Sequence, residues 1–245
     1  MFPLSDDNPH FITPYATYAI IALNVLAWIF VQGMGMEPQL SASVCTLGMV
    51  PGELLQTLAA GSRFQIGPNL YCVLTDQPHW LTAFTHMFLH GGWLHIIGNM
   101  WFLWIFGNNV EDSMGHARFV AFYLLCGLAA AAAQVLSDPA SGVPMVGASG
   151  AIGGVMGAYV LLYPRVKVKM LLFLGIFITT FTVPAFWMLG YWFAAQLIGG
   201  IGSIGAHAGG VAFWAHVGGF LAGAVLIYLF KVPEYVNRHP NRGWQ

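Results

Sequence analysis

The chain of 245 residues is 58% hydrophobic and only 7% charged, with a formal net charge of −1. A soluble domain has about 25% charged residues, so this composition excludes an ordinary soluble protein and indicates a polytopic membrane protein in a lipid bilayer. Eight basic residues provide no basic surface, so we expect no nucleic-acid partner.

Six apolar segments predict six membrane-spanning helices, because one span needs about 20 apolar residues. In chain order they cover about 15–31, 80 or 93 to 108, 118–136, 149–163, 184–198 and 211–230. A long mixed segment, 33–79, predicts a first extramembrane loop with short interfacial helices. The stretch before Pro184 predicts a helix extension or an approach on the cytoplasmic side. No repeat or linker divides the chain, so we expect one all-α membrane domain over 1–245, a six-helix bundle.

The basic residues predict the orientation of this bundle. Seven of the eight follow the second, fourth or sixth span, and only Arg63 lies on the other side. The seven are Arg118, Arg165, Lys167, Lys169, Lys231, Arg238 and Arg242. The positive-inside rule therefore predicts that both termini are cytoplasmic. The acidic N-terminus lacks a basic stretch typical of a signal peptide, so we expect the first segment to remain as a span.

The cysteines leave one question open. Cys45 and Cys72 share the long first loop, and they can pair if that loop faces an oxidising compartment. The alternative is two separate thiols. Cys126 lies in an apolar run and is predicted to be a packing residue.

Polar side chains inside the predicted spans fall at matching depths. His95, Ser149 and His216 each lie 15 residues before the residue that marks the cytoplasmic end of their span. At 1.5 Å per residue, each lies roughly 22 Å from the inner boundary, near the outer surface of the bilayer. Asn99 lies one turn deeper than His95 on the same helix face. A nucleophile, a base and polar donors are the groups that acyl transfer needs.

The fourth span is predicted to begin inside the membrane at Ser149, because 149–163 is too short to cross the whole core. A helix N-terminus offers free N–H groups to a developing oxyanion beside the serine. Glycines at four-residue spacing follow Ser149, and Gly219 and Gly223 repeat that spacing in the sixth span. Small faces let two membrane helices approach closely, as a Ser149–His216 hydrogen bond requires.

Each residue also has a plainer explanation when it is taken alone. Ser149 fits a packing serine at a helix interface, and His216 or Asn99 fits an interhelical hydrogen bond. A transporter is a third class of protein, but it is expected to carry charged residues within its spans.

A zinc site is a further alternative. His86 and His90 are four residues apart and, with His95, could supply ligands on one helix face. The glutamate of an H-E-x-x-H motif is missing, so we expect no metal ion and no cofactor.

Three motifs together resemble the rhomboid family of intramembrane serine proteases, of the bacterial six-span type. They are HGGWLHIIGN at 90–99, GASG at 147–150 and AHVGGFLAG at 215–223. Glu111 and Arg118 also resemble the family pattern, and the likeness extends over about 80–230.

The resemblance implies a Ser–His dyad and an intramembrane serine endopeptidase. Ser149 would be the nucleophile and His216 the general base, while His95, Asn99 and the backbone N–H of Ser149 would stabilise the oxyanion. Because the spans offer no carboxylate to orient His216, Tyr159 or an aromatic residue of the fifth span is a candidate support for the imidazole. The implied location is a bacterial inner membrane.

The resemblance also implies how substrate reaches the dyad. The partners would be transmembrane proteins whose helices enter between the second and fifth spans. Phe186, Trp187 and Trp192 are the candidate gate residues, and the glycine-rich loop 199–210 would act as a mobile cap. The alternative function is a catalytically silent scaffold of the same fold that binds membrane clients. Such relatives lack the serine or the histidine, whereas this chain has both.

Overall fold

The computed structural model describes residues 2–67, 70–175, 177–203 and 211–243. The helices are α1 Tyr15–Leu26, α2 Gln39–Leu47, α3 Pro51–Leu54, α4 Thr82–Thr85, α5 Trp93–Asp112, α6 His116–Ser137, α7 Ser149–Leu162, α8 Ala185–Gly202, α9 Phe213–Phe230 and α10 Pro233–Val236. A π-helical turn, Ala27–Val31, prolongs α1, and short 3-10 turns cover Gly33–Gly35 and His86–Phe88. The strands are β1 Phe2–Asp6, β2 Arg63–Gly67, β3 Leu70–Val73, β4 Lys167–Leu174 and β5 Phe177–Pro184.

The long helices pack around α7, most of which is buried. Within the described residues, α6 and α9 are long and apolar enough to cross a membrane, and Tyr15–Val31 and α7 are shorter apolar helices. Large apolar side chains on the outer faces remain exposed, including Leu94 at 89% and Leu229 at 76%. Such faces suit contact with lipid rather than water.

The predicted helices are present, with shifted boundaries. The second begins at Trp93, one of its two predicted starts, and ends at Asp112, while 82–88 forms two short helical turns that precede it. The fifth continues to Gly202, so the first residues of the predicted loop 199–210 are helical, while 204–210 lie outside the described residues.

The stretch before Pro184 is not a helix extension, and the segment that approaches the fifth helix is a β-hairpin, so the all-α prediction is wrong for these residues. β4 and β5 form an antiparallel hairpin from Lys167 opposite Pro184 to Leu174 opposite Phe177. β1 pairs with the other edge of β4, which gives the sheet order β1-β4-β5. Alternating threonine, valine and aromatic residues in 177–184 favour a strand, and hydropathy alone does not distinguish this pattern from a helix.

Glycines bring the backbones of α7 and α9 into contact. A β-carbon placed on Gly219 would lie 2.0 Å from the carbonyl oxygen of Gly150, and one on Gly223 would lie 1.9 Å from that of Gly154. The opposing Gly157 is equally close to Phe220, at 2.1 Å. No other residue fits these positions without moving the two helices apart.

Substitution of Gly223 by alanine therefore tests the contact. We expect Gly223→Ala to lower the free energy of unfolding by about 3 kcal/mol through overpacking against backbone that cannot move aside. Gly190→Ala on α8 is the matched control, because nothing lies within 4 Å of its β-carbon position. This control should be neutral or stabilising by up to about 1 kcal/mol from helix propensity. Unfolding titrations in detergent would measure both, and equal stability of the two variants would contradict the proposed contact.

One end of the bundle, here called the termini end, holds both ends of the described chain. The backbone N–H of Gly243 donates to Leu162 O, where α7 finishes, and β1 lies beside β4 just after it. The buried carboxylate of Glu111 accepts hydrogen bonds from the N–H groups of Ala16 and Thr17, at 2.9 and 2.7 Å. It thereby satisfies free donors in the first turn of α1, a site that favours an anion.

The opposite end, here called the serine end, carries the first loop, and Cys45 and Cys72 form a disulfide there with a Cα–Cα distance of 5.3 Å. Of the two alternatives for these cysteines, a disulfide or two separate thiols, the structure shows the disulfide. The bond joins α2 to β3. From the same loop, the backbone of Met49 exchanges hydrogen bonds with that of Met145 at 3.0 and 2.8 Å, four residues before Ser149. The first loop thus braces the segment that leads into α7.

Removal of the disulfide should weaken this brace. For a sequence separation of 27 residues, we expect Cys45→Ser with Cys72→Ser to cost about 3 kcal/mol of unfolding free energy, mainly through loop entropy in the unfolded chain. A reductant should destabilise the wild type to the same degree and leave the double variant unchanged. Insensitivity of the wild type to reduction would contradict a stabilising role.

Candidate active site

Ser149 is the first residue of α7 and is held there by an unusual glycine. Gly147 has φ +130°, and a β-carbon on it would lie 2.8 Å from His95 Nε2. Both the backbone conformation and the space therefore require glycine. The N–H of Gly147 donates to His86 O at 2.9 Å, which fixes the turn. The serine side chain consequently enters a cavity at the serine end of the bundle.

His216 lies in the first turn of α9 and faces this serine. Its Nε2 lies 2.7 Å from Ser149 Oγ, and its Nδ1 lies 2.7 Å from Gln196 Oε1 on α8. The predicted serine–histidine pair is therefore in direct hydrogen-bond contact, the geometry that lets a base accept a hydroxyl proton.

Three predicted donors lie around the same point. The N–H of Gly91 donates to His95 Nδ1 at 3.2 Å, so the proton of the neutral ring is on Nε2, the nitrogen that lies nearest the β-carbon position of Gly147. Asn99 is buried, and within the described chain its Nδ2 has no hydrogen-bond acceptor. The N–H of Ser149 belongs to the first helical turn, which has no intrahelical acceptor. These groups have the chemistry required of oxyanion donors.

The cavity has a volume of about 470 Å³, and its wall includes all four predicted polar residues. Apolar groups from the segments 144–146 and 211–212 and from α5, α7 and α8 form most of the rest of the wall. A mostly apolar cleft with a few convergent polar groups is typical of a binding site.

The three predicted gate residues lie at different depths. Trp192 lines the cavity, with its ring centroid 5.7 Å from that of His216. Phe186 and Trp187 instead begin α8 at the termini end, where the N–H of Phe186 donates to Pro164 O at 2.9 Å. Trp187 is 65% exposed, so it lies on the outer surface of the bundle.

The imidazole support comes from α8 rather than from Tyr159. The Tyr159 hydroxyl donates to Asp6 Oδ2 at 2.5 Å, and burial raises the pKa of that carboxyl to about 6. The residue missed by sequence reasoning is Gln196, whose amide contacts His216. A single amide in the otherwise apolar run 185–198 was the signal that could have identified it.

The histidines of the zinc alternative do not form a ligand set. Among the described residues, no group of three His, Cys, Asp or Glu side chains could hold a metal ion. His90 packs edge-on against His95, with ring centroids 5.1 Å apart, and its backbone N–H is fixed by the buried Gln32 side chain.

The fold is a helical bundle, and its cavity holds a serine and a histidine in hydrogen-bond contact, the pair of groups that hydrolases use as nucleophile and base. The match to known proteins is more specific. A profile described as the rhomboid domain matches residues 77–232. The chain belongs to the rhomboid family, whose members are integral membrane proteins.

Individual relatives come from bacteria, plants and yeast. The chain is 31% identical over 213 residues to "Rhomboid protease GluP" of Bacillus subtilis, covering 87% of this chain and 35% of the relative. It is 32% identical to "Rhomboid-like protein 11, chloroplastic" of Arabidopsis thaliana, covering 63% and 54%. It is 29% identical to "Rhomboid protein 1, mitochondrial" of Saccharomyces cerevisiae, covering 64% and 43%. The chain thus spans between about a third and a half of the length of these proteins.

The unpaired amide of Asn99 gives a test of the oxyanion site. For a site that performs acyl transfer, we expect Asn99→Leu, which removes the donor at similar size, to lower kcat by about 10²-fold with little change in KM. Asn99→Asp should be lower still, because a carboxylate lacks the donor and repels negative charge. Steady-state cleavage of a model transmembrane substrate measures both variants, and a kcat close to wild type for Asn99→Leu would contradict the assignment.

Proposed function

We propose that this chain is an intramembrane serine endopeptidase that cleaves transmembrane segments of membrane-protein substrates. The observation that carries the proposal is the 2.7 Å contact between Ser149 Oγ and His216 Nε2 inside a cavity. The three adjacent donors support it, because a nucleophile and base without oxyanion donors would lack the largest source of rate enhancement.

The geometry supports a two-step acyl transfer. Ser149 Oγ attacks the scissile carbonyl carbon while His216 Nε2 accepts the hydroxyl proton, and His95, Asn99 and the N–H of Ser149 donate to the resulting oxyanion. The C–N bond then breaks as His216 gives its proton to the leaving amine. Water attacks the acyl ester, His216 takes the water proton, and that proton returns to Ser149 Oγ as the carboxylic acid product leaves. No metal ion or cofactor takes part in this mechanism.

The proposed topology has six spans, both termini in the cytoplasm and a bacterial inner membrane as the location. The shared position of both chain ends at the termini end supports an even number of spans. The disulfide at the serine end supports an oxidising compartment on that side. Seven of the eight basic residues follow helices that finish at the termini end, as the positive-inside rule requires of a cytoplasmic face.

Substrate access is proposed between α5 and α8, the second and fifth spans. Trp192 lies at the depth of the dyad and would contact a substrate near its scissile bond. Phe186 and Trp187 would contact the same substrate helix nearer the cytoplasmic side. Of the predicted cap 199–210, the residues up to Gly202 belong to α8, and 204–210 lie outside the described residues.

Fluorophosphonate labelling tests the proposal most directly. We expect a fluorescent fluorophosphonate to label the wild type, and we expect the label to disappear in Ser149→Ala and His216→Ala. Ser137→Ala is the matched control, because Ser137 is an exposed serine at the end of α6 and should leave labelling unchanged. The same variants should show a parallel loss of cleavage of a model transmembrane substrate in bilayers.

Two results would count against this function. Equal labelling of wild type and Ser149→Ala would show that another residue is the reactive group. A folded wild type that neither labels nor cleaves in detergent or bilayers would favour a client-binding scaffold.

A further inference from the structure

Gln196 occupies the place that an orienting group holds in a serine hydrolase. Its Oε1 lies 2.7 Å from His216 Nδ1, the ring nitrogen that does not face the serine. In this orientation of the amide the carbonyl oxygen accepts, so Nδ1 carries the proton and donates it. Nε2 is then unprotonated and able to accept the proton of Ser149. The opposite tautomer would leave the serine without a base.

On the helix that carries the nucleophile, the position one turn after the serine is a glycine. Gly153 lies one turn after Ser149 on the same face of α7 and has no side chain to hold the imidazole. A β-carbon there would already lie 3.1 Å from His216 O and 3.7 Å from Trp192 Cη2. The space beside the ring is filled from α8 instead, by the indole of Trp192, which also stacks on Phe220 with ring centroids 6.2 Å apart.

We propose that Gln196 is a positioning residue that fixes the tautomer and orientation of His216, with Trp192 packed against the ring. The inference rests on the proposed function and extends it, because it makes the dyad dependent on a third helix. Gln196 and Trp192 are four residues apart on one face of α8. The base is therefore correctly held only while α8 is packed against α9.

Two substitutions separate hydrogen bonding from packing. Gln196→Met keeps the length of the side chain but removes the acceptor, and we expect kcat to fall about 10- to 100-fold with KM changed less than about threefold. Gln196→Glu keeps an acceptor oxygen at the same reach and should stay within about fivefold of wild type. The rescue by glutamate distinguishes a positioning role from a merely structural one.

Gln134→Met is the matched control. Gln134 Oε1 accepts a hydrogen bond of 3.3 Å from the N–H of Ala215, next to His216, but does not touch the imidazole. We expect this variant to keep kcat within about threefold of wild type. An equal loss in Gln134→Met and Gln196→Met would attribute the effect to general loosening of α9 and overturn the proposal, as would a wild-type kcat in Gln196→Met.

NMR of the labelled protein measures the tautomer of His216 directly, without an activity assay. In protein with 15N-labelled histidine, the signals absent from His216→Ala identify this ring, and we expect a protonated Nδ1 in the wild type and in Ser149→Ala. Gln196→Met should populate the other tautomer. A protonated Nε2 in the wild type would overturn the proposal even if the enzyme is active, whereas an inactive wild type with a protonated Nδ1 would refute only the proposed function.

Discussion

The contact between the backbones of α7 and α9 is the constraint on which the rest of the structure depends. Ser149 and His216 are on different helices, and a hydrogen bond of 2.7 Å between them leaves no room for side chains at the interface below. Glycine at 150, 154, 219 and 223 removes those side chains. Lipid supplies no hydrophobic force that would drive helices together, so close packing of this kind is itself a main source of helix association in a bilayer. The same glycines therefore stabilise the fold and set the distance between the nucleophile and its base.

Different contacts hold the two ends of the bundle. At the termini end, the Glu111 carboxylate closes the first turn of α1, and the strand β1 and the C-terminal segment fix the helix ends to one another. At the serine end, the first loop reaches back through Met49 to Met145 and holds the turn that delivers Ser149. Because Gly147 in that turn is at φ +130° and in contact with His95, a small displacement of the loop would move the nucleophile and an oxyanion donor together.

The sequence predicted that these polar residues lie at one level because depth in a bilayer can be counted along a helix. His95, Ser149 and His216 share one distance from their helix ends, and the structure brings these three side chains to the wall of one cavity. Depth does not report which way a residue faces around its helix, so Gln196 was missed. It also does not separate an apolar helix from an apolar hairpin, so β4 and β5 were not foreseen. Cys45 and Cys72 are distant in sequence, and only the folded loop shows that they meet.

The use of an amide rather than a carboxylate to hold His216 follows from the surroundings of the site. In a soluble hydrolase a buried carboxylate both orients the histidine and stabilises its protonated form. At the depth of Ser149, a carboxylate would be a charge in a medium that solvates it poorly, so it would lower the stability of the fold even where it orients the histidine equally well. A glutamine gives the orientation without the charge. The consequence is weaker stabilisation of the imidazolium, so the proposed mechanism would draw more of its rate enhancement from the donors around the oxyanion. In the proposed mechanism, three donors around the oxyanion would supply that stabilisation, while one neutral side chain holds His216.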